Sequence, residues 1–282
     1  MNHFEFEIKP SKNPLQLNFK EVWQYKDLVL LFVRRDFVSQ YKQTILGPIW
    51  FFLQPIFTTL VFTLVFGTFG GLSPEGVPTF VYYLSGIILW NYFSDCLLKT
   101  SSTFIDNQGL FGKVYFPRLV VPLSIVISNL IKFGVQFMLF LLIWLYYVWK
   151  GEINFNATLA LFPLLIVLMA VLGMGSGIII SSLTTKYRDL RFLLQFGIQL
   201  LMYITPGIIM SYDSIASRFP EYTWIADINP IYPIIETFKH GWIQSGSFSW
   251  IGLGMASVIT LITLLSGIVI FNRTEQNFMD TI

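Results

Sequence analysis

The chain is poor in reactive groups. Its 282 residues hold one cysteine, Cys96, and two histidines, His3 and His240. A single thiol excludes an intrachain disulfide and a thiolate metal cage, and two imidazoles exclude a histidine-rich metal site. Charge is scarce as well: Asp, Glu, Lys and Arg make up 12% of the residues, about half the share found in soluble domains. The net charge of +2 is too small for nucleic-acid binding, which needs a clustered basic face. No apolar h-region occurs in the first 26 residues, so no cleavable signal peptide is expected. A phosphate loop is missing too. Gly109-Leu-Phe-Gly-Lys113 ends like one, but Asn107 stands where the first glycine belongs and Val114 where Ser or Thr must meet magnesium. No nucleotide, metal or cofactor is expected on this chain itself.

What fills the sequence is apolar. Hydrophobic residues make up 54% and aromatics 17%, with a mean hydropathy of +0.64. Crossing ~30 Å of hydrocarbon takes about 20 apolar residues in a helix. Runs of that kind lie at 49–70, 80–98, 119–149, 159–183, 192–210 and 250–271. They lack the ten-residue alternation of barrel strands, and backbone in lipid must satisfy itself. The expected fold is an all-α membrane protein with six transmembrane helices. Residues 1–48 form an N-terminal region, 49–271 the membrane domain and 272–282 a tail.

Basic residues set the orientation. Lys9, Lys12, Lys20, Lys26, Arg34, Arg35 and Lys42 precede the first run. Lys99, Lys113 and Arg118 follow the second, Lys186, Arg188 and Arg191 the fourth, and Arg273 the last. The opposite loops hold only Lys150, Arg218 and Lys239. Both termini are therefore expected in the cytoplasm.

Three connections carry more than a linker needs. Leu30, Val33, Phe37, Tyr41 and Ile45 recur at helical spacing, opposite Arg35, Asp36, Gln40, Lys42 and Gln43. This predicts an amphipathic helix lying in the cytoplasmic interface. One reading is an anchor for the first span; the other gives Arg34, Arg35 and Lys42 an anionic lipid headgroup or pyrophosphate. Between the second and third runs, residues 104–118 mix aromatics with Lys113 and Arg118. That loop exceeds a plain turn, and its aromatics and charges suit a grip by another protein. The segment 211–249 is apolar but too short to cross, which predicts short re-entrant or interfacial helices. Asn229 is the expected N-cap there, with Pro230 in the first turn.

Isolated features have two readings each. Lys132 is the only basic residue well inside a run, and either snorkels, meets water, or pairs with Ser128, Asn129 or Gln136. The rings of Trp50, Phe51, Tyr82, Tyr83, Trp90, Tyr92 and Phe93 either face lipid and the interfacial belts or line a tunnel in which sugars slide over aromatic faces. Gly173-Met-Gly-Ser-Gly177 has the spacing of close helix packing rather than of a dinucleotide site.

In order and spacing, several blocks resemble one family. They are Arg34-Arg-Asp36, Tyr41-Lys-Gln-Thr-Ile-Leu-Gly-Pro-Ile-Trp50, Gln54-Pro55, Leu84-Ser-Gly-Ile-Ile-Leu-Trp-Asn-Tyr-Phe93 and Lys113-Val-Tyr-Phe-Pro-Arg118. Tyr187-Arg-Asp-Leu-Arg191, Thr205-Pro206, Asn229-Pro230 and Glu275-Gln-Asn-Phe-Met-Asp280 extend the match. Together they are similar to type-2 ABC exporter permeases that move lipid-linked polysaccharides such as O-antigen, capsule or teichoic acid. The resemblance implies a homodimer in the bacterial cytoplasmic (inner) membrane, paired with two ATPase subunits that carry ATP and magnesium. It implies an undecaprenyl-type lipid-linked polysaccharide as cargo. It places the ATPase-coupling segment at Asp106, Asn107, Gln108, Leu110, Phe111, Lys113, Tyr115 and Phe116. It also makes the region around Trp224, Asn229, Pro230 and Tyr232 an extracytoplasmic gate.

Other classes have less support. A drug or lipid exporter of the same superfamily would share the architecture. An ion-coupled transporter wants paired intramembrane carboxylates, and only Asp95 lies in a run. A glycan-handling enzyme would have to draw on Asp213, Glu221, Asp227 or Glu236.

Overall fold

The computed structural model describes residues 19–42, 44–72, 76–114, 116–184, 187 and 189–278. Tyr115, Lys9, Lys12, Lys186, Arg188 and Asp280 lie outside them. In chain order come α1 (Phe19–Gln24), α2 (Lys26–Tyr41) and α3 (Trp50–Phe62), the last continuing as a π-helical stretch over Thr63–Phe69. Next are α4 (Thr79–Thr100) and two single-turn helices, α5 (Thr103–Asp106) and α6 (Gln108–Phe111). The long helices α7 (Val120–Trp149) and α8 (Phe162–Thr184) precede α9 (Leu190–Ile204). Short α10 (Tyr212–Arg218) and α11 (Thr223–Ile228) lead to α12 (Ile231–Ile243) and α13 (Trp250–Phe278). No strand occurs among the described residues.

Each of the six apolar runs becomes a helix. Four helical stretches are long and apolar enough to cross a membrane: Gly47–Phe69, Val120–Trp149, Ala157–Thr184 and Trp250–Thr274. The other two runs differ for separate reasons. Helix α4 has 22 residues, a length of about 33 Å, but carries Asp95 and Lys99 and is wrapped by its own chain. Helix α9 has 15 residues, about 22 Å, and stops six residues before the apolar run does. Thr205-Pro206-Gly207 ends it: Pro206 has no N–H for the helical ladder, and Gly207 takes φ +83°.

The core is built around α4, whose residues from Val81 to Trp90 are all buried. Glycines bring α8 against it. A Cβ on Gly173 would fall 2.9 Å from the Phe93 carbonyl oxygen, and one on Gly177 2.8 Å from that of Leu97. On the opposite face of α8, a Cβ on Gly175 would stand 3.0 Å from the Leu264 Cα, and one on Gly267 2.8 Å from the Gly175 carbonyl oxygen. The glycine run therefore sets the spacing of α4, α8 and α13, as its pattern predicts.

Helix α2 packs on α7 through Val29, Phe32 and Val33. Of the predicted stripe, Val33 is buried and Phe37 half-buried, while Leu30 and Ile45 are exposed, as are Leu31 and Val38 outside it. Apolar residues thus occupy two sides of α2, a pattern that a single amphipathic stripe does not encode.

Candidate functional site

Two ends of the bundle carry the irregular segments. At one end lie α2, α5, α6 and the start of α9; at the other lie the chain from Thr205 to Ser249 and the loop after α7.

At the first end, the segment between α4 and α7 is a knot of rings. Phe104, Phe111 and Phe116 are buried. Phe104 stacks on Phe271 of α13 with centroids 4.5 Å apart, Phe111 meets Phe104 and Phe116, and Phe116 meets Phe32 of α2 edge-on at 5.8 Å. Arg118 is buried as well, its guanidinium 5.4 Å from the Phe111 ring centre. Phe104, Phe111 and Phe116 are therefore internal anchors rather than a surface for a partner, because the helices that converge here offer apolar partners. The surface of the segment is formed by Asp106, Gln108, Gly109, Gly112, Lys113 and Val114, with Asn107 and Leu110 half-buried. Asp106 accepts a hydrogen bond from the Arg191 guanidinium at 2.7 Å, which ties the segment to the first turn of α9.

Beside this knot is a cavity of about 330 Å³ walled by Arg35, Asp36 and Ser39 of α2, Lys99 of α4, and Asp106 and Asn107. Arg35 pairs with Asp36 at 2.8 Å, and Lys99 donates to the Asn129 carboxamide at 2.9 Å. Of the basic residues expected to meet a headgroup, Arg35 lines the cavity; Arg34 and Lys42 are exposed elsewhere. Lys99 is the cation that sequence reasoning missed, since its contact with Asn129 joins residues 30 positions apart.

Deeper between α4 and α7, Lys132 pairs with Asp95 at 2.7 Å. The expected polar neighbours Ser128, Asn129 and Gln136 lie on the same helix, but the partner is a carboxylate on the adjacent one. Asp95 therefore balances an internal charge.

The aromatic set is corrected by burial. Phe51, Tyr82, Tyr83, Trp90, Tyr92 and Phe93 are enclosed by the chain's own helices; Trp50 alone shows its ring at the surface. Tyr82 and Tyr83 meet at 5.4 Å, and Tyr92 meets Phe133 of α7 at 5.1 Å. These rings face neither lipid nor an open path, because α4 sits at the centre of the subunit. Exposed polar groups inside the apolar helices occur elsewhere. Gln195 and Gln199 lie on one face of α9 and Gln54 on α3. The carboxamides of Gln195 and Gln199 make no hydrogen bond to another described residue. Tyr203 continues their line, exposed, one turn further.

At the other end, α12 is sunk into the bundle. Trp144 of α7 donates its indole N–H to the Trp242 carbonyl at 2.6 Å, and the Asn156 N–H donates to Gly241 at 2.9 Å. Phe238 and Trp242 join Phe137, Phe140 and Phe162 in one aromatic stack. The Asn229 side chain caps α12 by accepting from the Ile231 N–H at 3.0 Å and donates to Thr205 Oγ1 at 2.8 Å; Pro230 is the residue just before the helix. Gly241 lies inside α12, whose end is marked by Gln244 in the left-handed region at φ 49°. Tyr232 stacks on Tyr212 at 5.4 Å, and burial pushes its phenol up to about 12, against a lowering from its hydrogen bond with Ser247. Trp224 is exposed on α11. Among the described residues, no three His, Cys, Asp or Glu side chains gather as a metal site.

The comparisons with known proteins agree with this architecture. The chain is 25% identical over 267 residues to the O-antigen export system permease protein RfbA of Klebsiella pneumoniae, covering 90% of this chain and 94% of that protein. It is 23% identical over 268 residues to RfbA of Myxococcus xanthus, covering 93% and 98%. It is 24% identical over 252 residues to the polysialic acid transport protein KpsM of Escherichia coli, covering 86% and 91%. The profile of the ABC-2 type transporter family matches residues 27–243, a stretch that runs from α2 through the ring knot to the end of α12, and the chain belongs to that family.

Proposed function

We propose that two copies of this chain form the membrane pathway of an ATP-driven exporter of lipid-linked polysaccharide, across the bacterial inner membrane. The observation that carries the reading is the pair of exposed carboxamides on α9. An amide facing hydrocarbon without a partner costs roughly 4–8 kcal/mol on an alkane scale. Two on one face, four residues apart, call for water, cargo or a second copy. With α3 contributing Gln54 and Trp50, the α3 and α9 faces of two subunits enclose a path lined by amides, Tyr203 and Trp50. Amides and isolated rings suit sugar hydroxyls and sugar C–H faces together. The conduit thus shifts from the buried rings of α4 to the exposed faces of α3 and α9.

Both termini and the coupling knot lie in the cytoplasm by the distribution of basic residues, and all six apolar runs cross, α9 together with the apolar 205–210 turn that follows it. Two separate ATPase subunits bind ATP and magnesium and grip the exposed rim from Asp106 to Val114. Their closure moves α9 through Asp106 and Arg191, while the ring knot carries motion to α2, α7 and α13. The protein supplies two conformations, and nucleotide binding supplies the free energy that selects between them. The headgroup of an undecaprenyl-type carrier enters by α2, at the cavity of Arg35 and Lys99. The helices from Tyr212 to Ile228, which include Trp224, close the outer mouth with Asn229, Pro230 and Tyr232 beside them.

The test combines genetics and labelling. Cells lacking the permease should retain the finished lipid-linked glycan inside the inner membrane. Cys96 is buried, so single cysteines report without background. Gln199→Cys should react with a hydrophilic maleimide, and Met255→Cys, exposed on α13, should not. Equal reactivity at both positions, or unchanged glycan export in the deletion strain, refutes the proposal.

A further inference from the structure

The apolar helix α12 contains two charged residues one turn apart, Glu236 and Lys239, and both are buried. Lys239 is fully enclosed, its ammonium 3.1 Å from the Tyr82 ring centre and without a hydrogen-bond partner among the described residues. Its Cε also packs near Gly86, about 10 Å along α4 from the outer end of that helix. Glu236 accepts from the Ser247 N–H at 2.9 Å. Its carboxylate lies against two glycines that both take positive φ: a Cβ on Gly207 would stand 2.8 Å from one oxygen, and a Cβ on Gly246 2.6 Å from the other. The turn after α9 is thus seated on this charged site. Ile208 and Ile209 are buried there, the Gly207 N–H is satisfied by the Met210 carbonyl at 2.8 Å, and Gly86 makes room for the Gly207 carbonyl.

Irregular backbone at this depth, next to ionisable groups, is the kind of place where membrane proteins move. The two sides of the contact differ in firmness. Helix α12 is fixed by Trp144, Asn156 and the aromatic stack. The stretch that follows the turn, α10 and α11, leaves Phe219, Tyr222, Trp224 and Ile228 exposed.

Building on the proposed gate, we propose that Glu236 and Lys239 are positioning residues that keep the seat of the 205–210 turn reversible. Burying a carboxylate and an ammonium carries a desolvation cost that pairing repays only in part, and this disfavours the closed arrangement relative to one in which water reaches them. When the turn lifts with the outer end of α9, Glu236 and Lys239 become wet and that penalty is relieved. The seat is a closure set to release rather than a lock. A neutral seat of the same shape would hold the turn too firmly.

The experiment uses the double variant Glu236→Gln, Lys239→Met in the complex with the ATPase partner. Neutral groups of similar volume should raise the melting temperature by about 2–4 °C. In the same background, Ile208→Cys should be labelled from outside about tenfold more slowly during ATP turnover than Ile208→Cys alone. Export should fall in parallel. Melting and labelling need no cargo, so they stand even if the exported molecule is not a polysaccharide, in which case only the glycan assay fails. A lowered melting temperature would make the two residues ordinary structural pins and overturn the proposal. Unchanged labelling would overturn it too. Should that double variant fail to accumulate, Glu236→Gln with Lys239→Leu, which also leaves no stranded charge, is read the same way.

Discussion

Removing Lys132 alone should destabilise the protein more than removing it together with its partner. Lys132 and Asp95 join α7 to α4 at 2.7 Å, with side chains 12% and 25% exposed. Losing one member of a fully buried pair costs about 3–5 kcal/mol, chiefly because the other charge is stranded. The partial exposure here reduces that to about 2 kcal/mol. Lys132→Met should therefore lower the melting temperature of the purified complex by about 5 °C, at roughly 2–4 °C per kcal/mol for chains near this size. Asp95→Asn with Lys132→Met leaves no stranded charge and keeps the volume, so most of the loss should return, leaving less than about 1 kcal/mol. The cation–π contact of Lys132 with Phe51, at 5.8 Å, adds little beside this. Unfolding followed by tryptophan fluorescence at one scan rate reads all three proteins. A single variant as stable as wild type, or a double variant no better than the single, would refute the ion-pair argument. The second outcome would leave Lys132 with a role of its own in a wet pathway.

Three other perturbations separate packing from transport. Gly177→Val places a Cβ 2.6 Å from that of Thr100 and 2.8 Å from the Leu97 carbonyl oxygen; overpacking of about 3 kcal/mol or more is expected, seen as loss of folded protein on size-exclusion chromatography. Gln195→Leu with Gln199→Leu should keep ATPase association and lower export at least about tenfold, equivalent to 1.4 kcal/mol in the path; full export would place that face against lipid. Asp106→Arg and Arg191→Asp each reverse one end of an exposed pair worth less than about 1 kcal/mol. Melting should hardly change, transport per ATP should fall, and the exchanged pair should restore it.

Much of this architecture is legible in the residues, and the failures share a cause. All six apolar runs are helices, and the glycine run of α8 sits at the closest helix contacts. Pro206 and Gly207 stop α9 early, a signal present in the sequence but outweighed by the apolarity of residues 205–210. Facing was harder to read. In water, an apolar stripe points inward, but in a bilayer lipid and protein interior are both apolar. Sequence pattern therefore loses its sense of direction. That is why Val29 and Phe32 join Val33 on the packed face of α2 while Leu30 is exposed, and why the rings of α4 proved internal. Pairings across long separations, such as Asp95 with Lys132 and Lys99 with Asn129, carry no periodicity at all. For Glu236 and Lys239 a signal did exist: two charges one turn apart in an otherwise apolar helix. Their position in a segment expected outside the bilayer masked it.

The stacking of Phe104 on Phe271 has a practical consequence. Phe271, two turns before the end of α13, lies within one ring's width of the segment that leads into the rim the ATPase is proposed to hold, so this part of α13 is mechanically near that rim although far from it in sequence. A fluorescent reporter near Arg273 should respond to nucleotide state without touching the partner. Conversely, bulky fusions there should disturb coupling before they disturb folding.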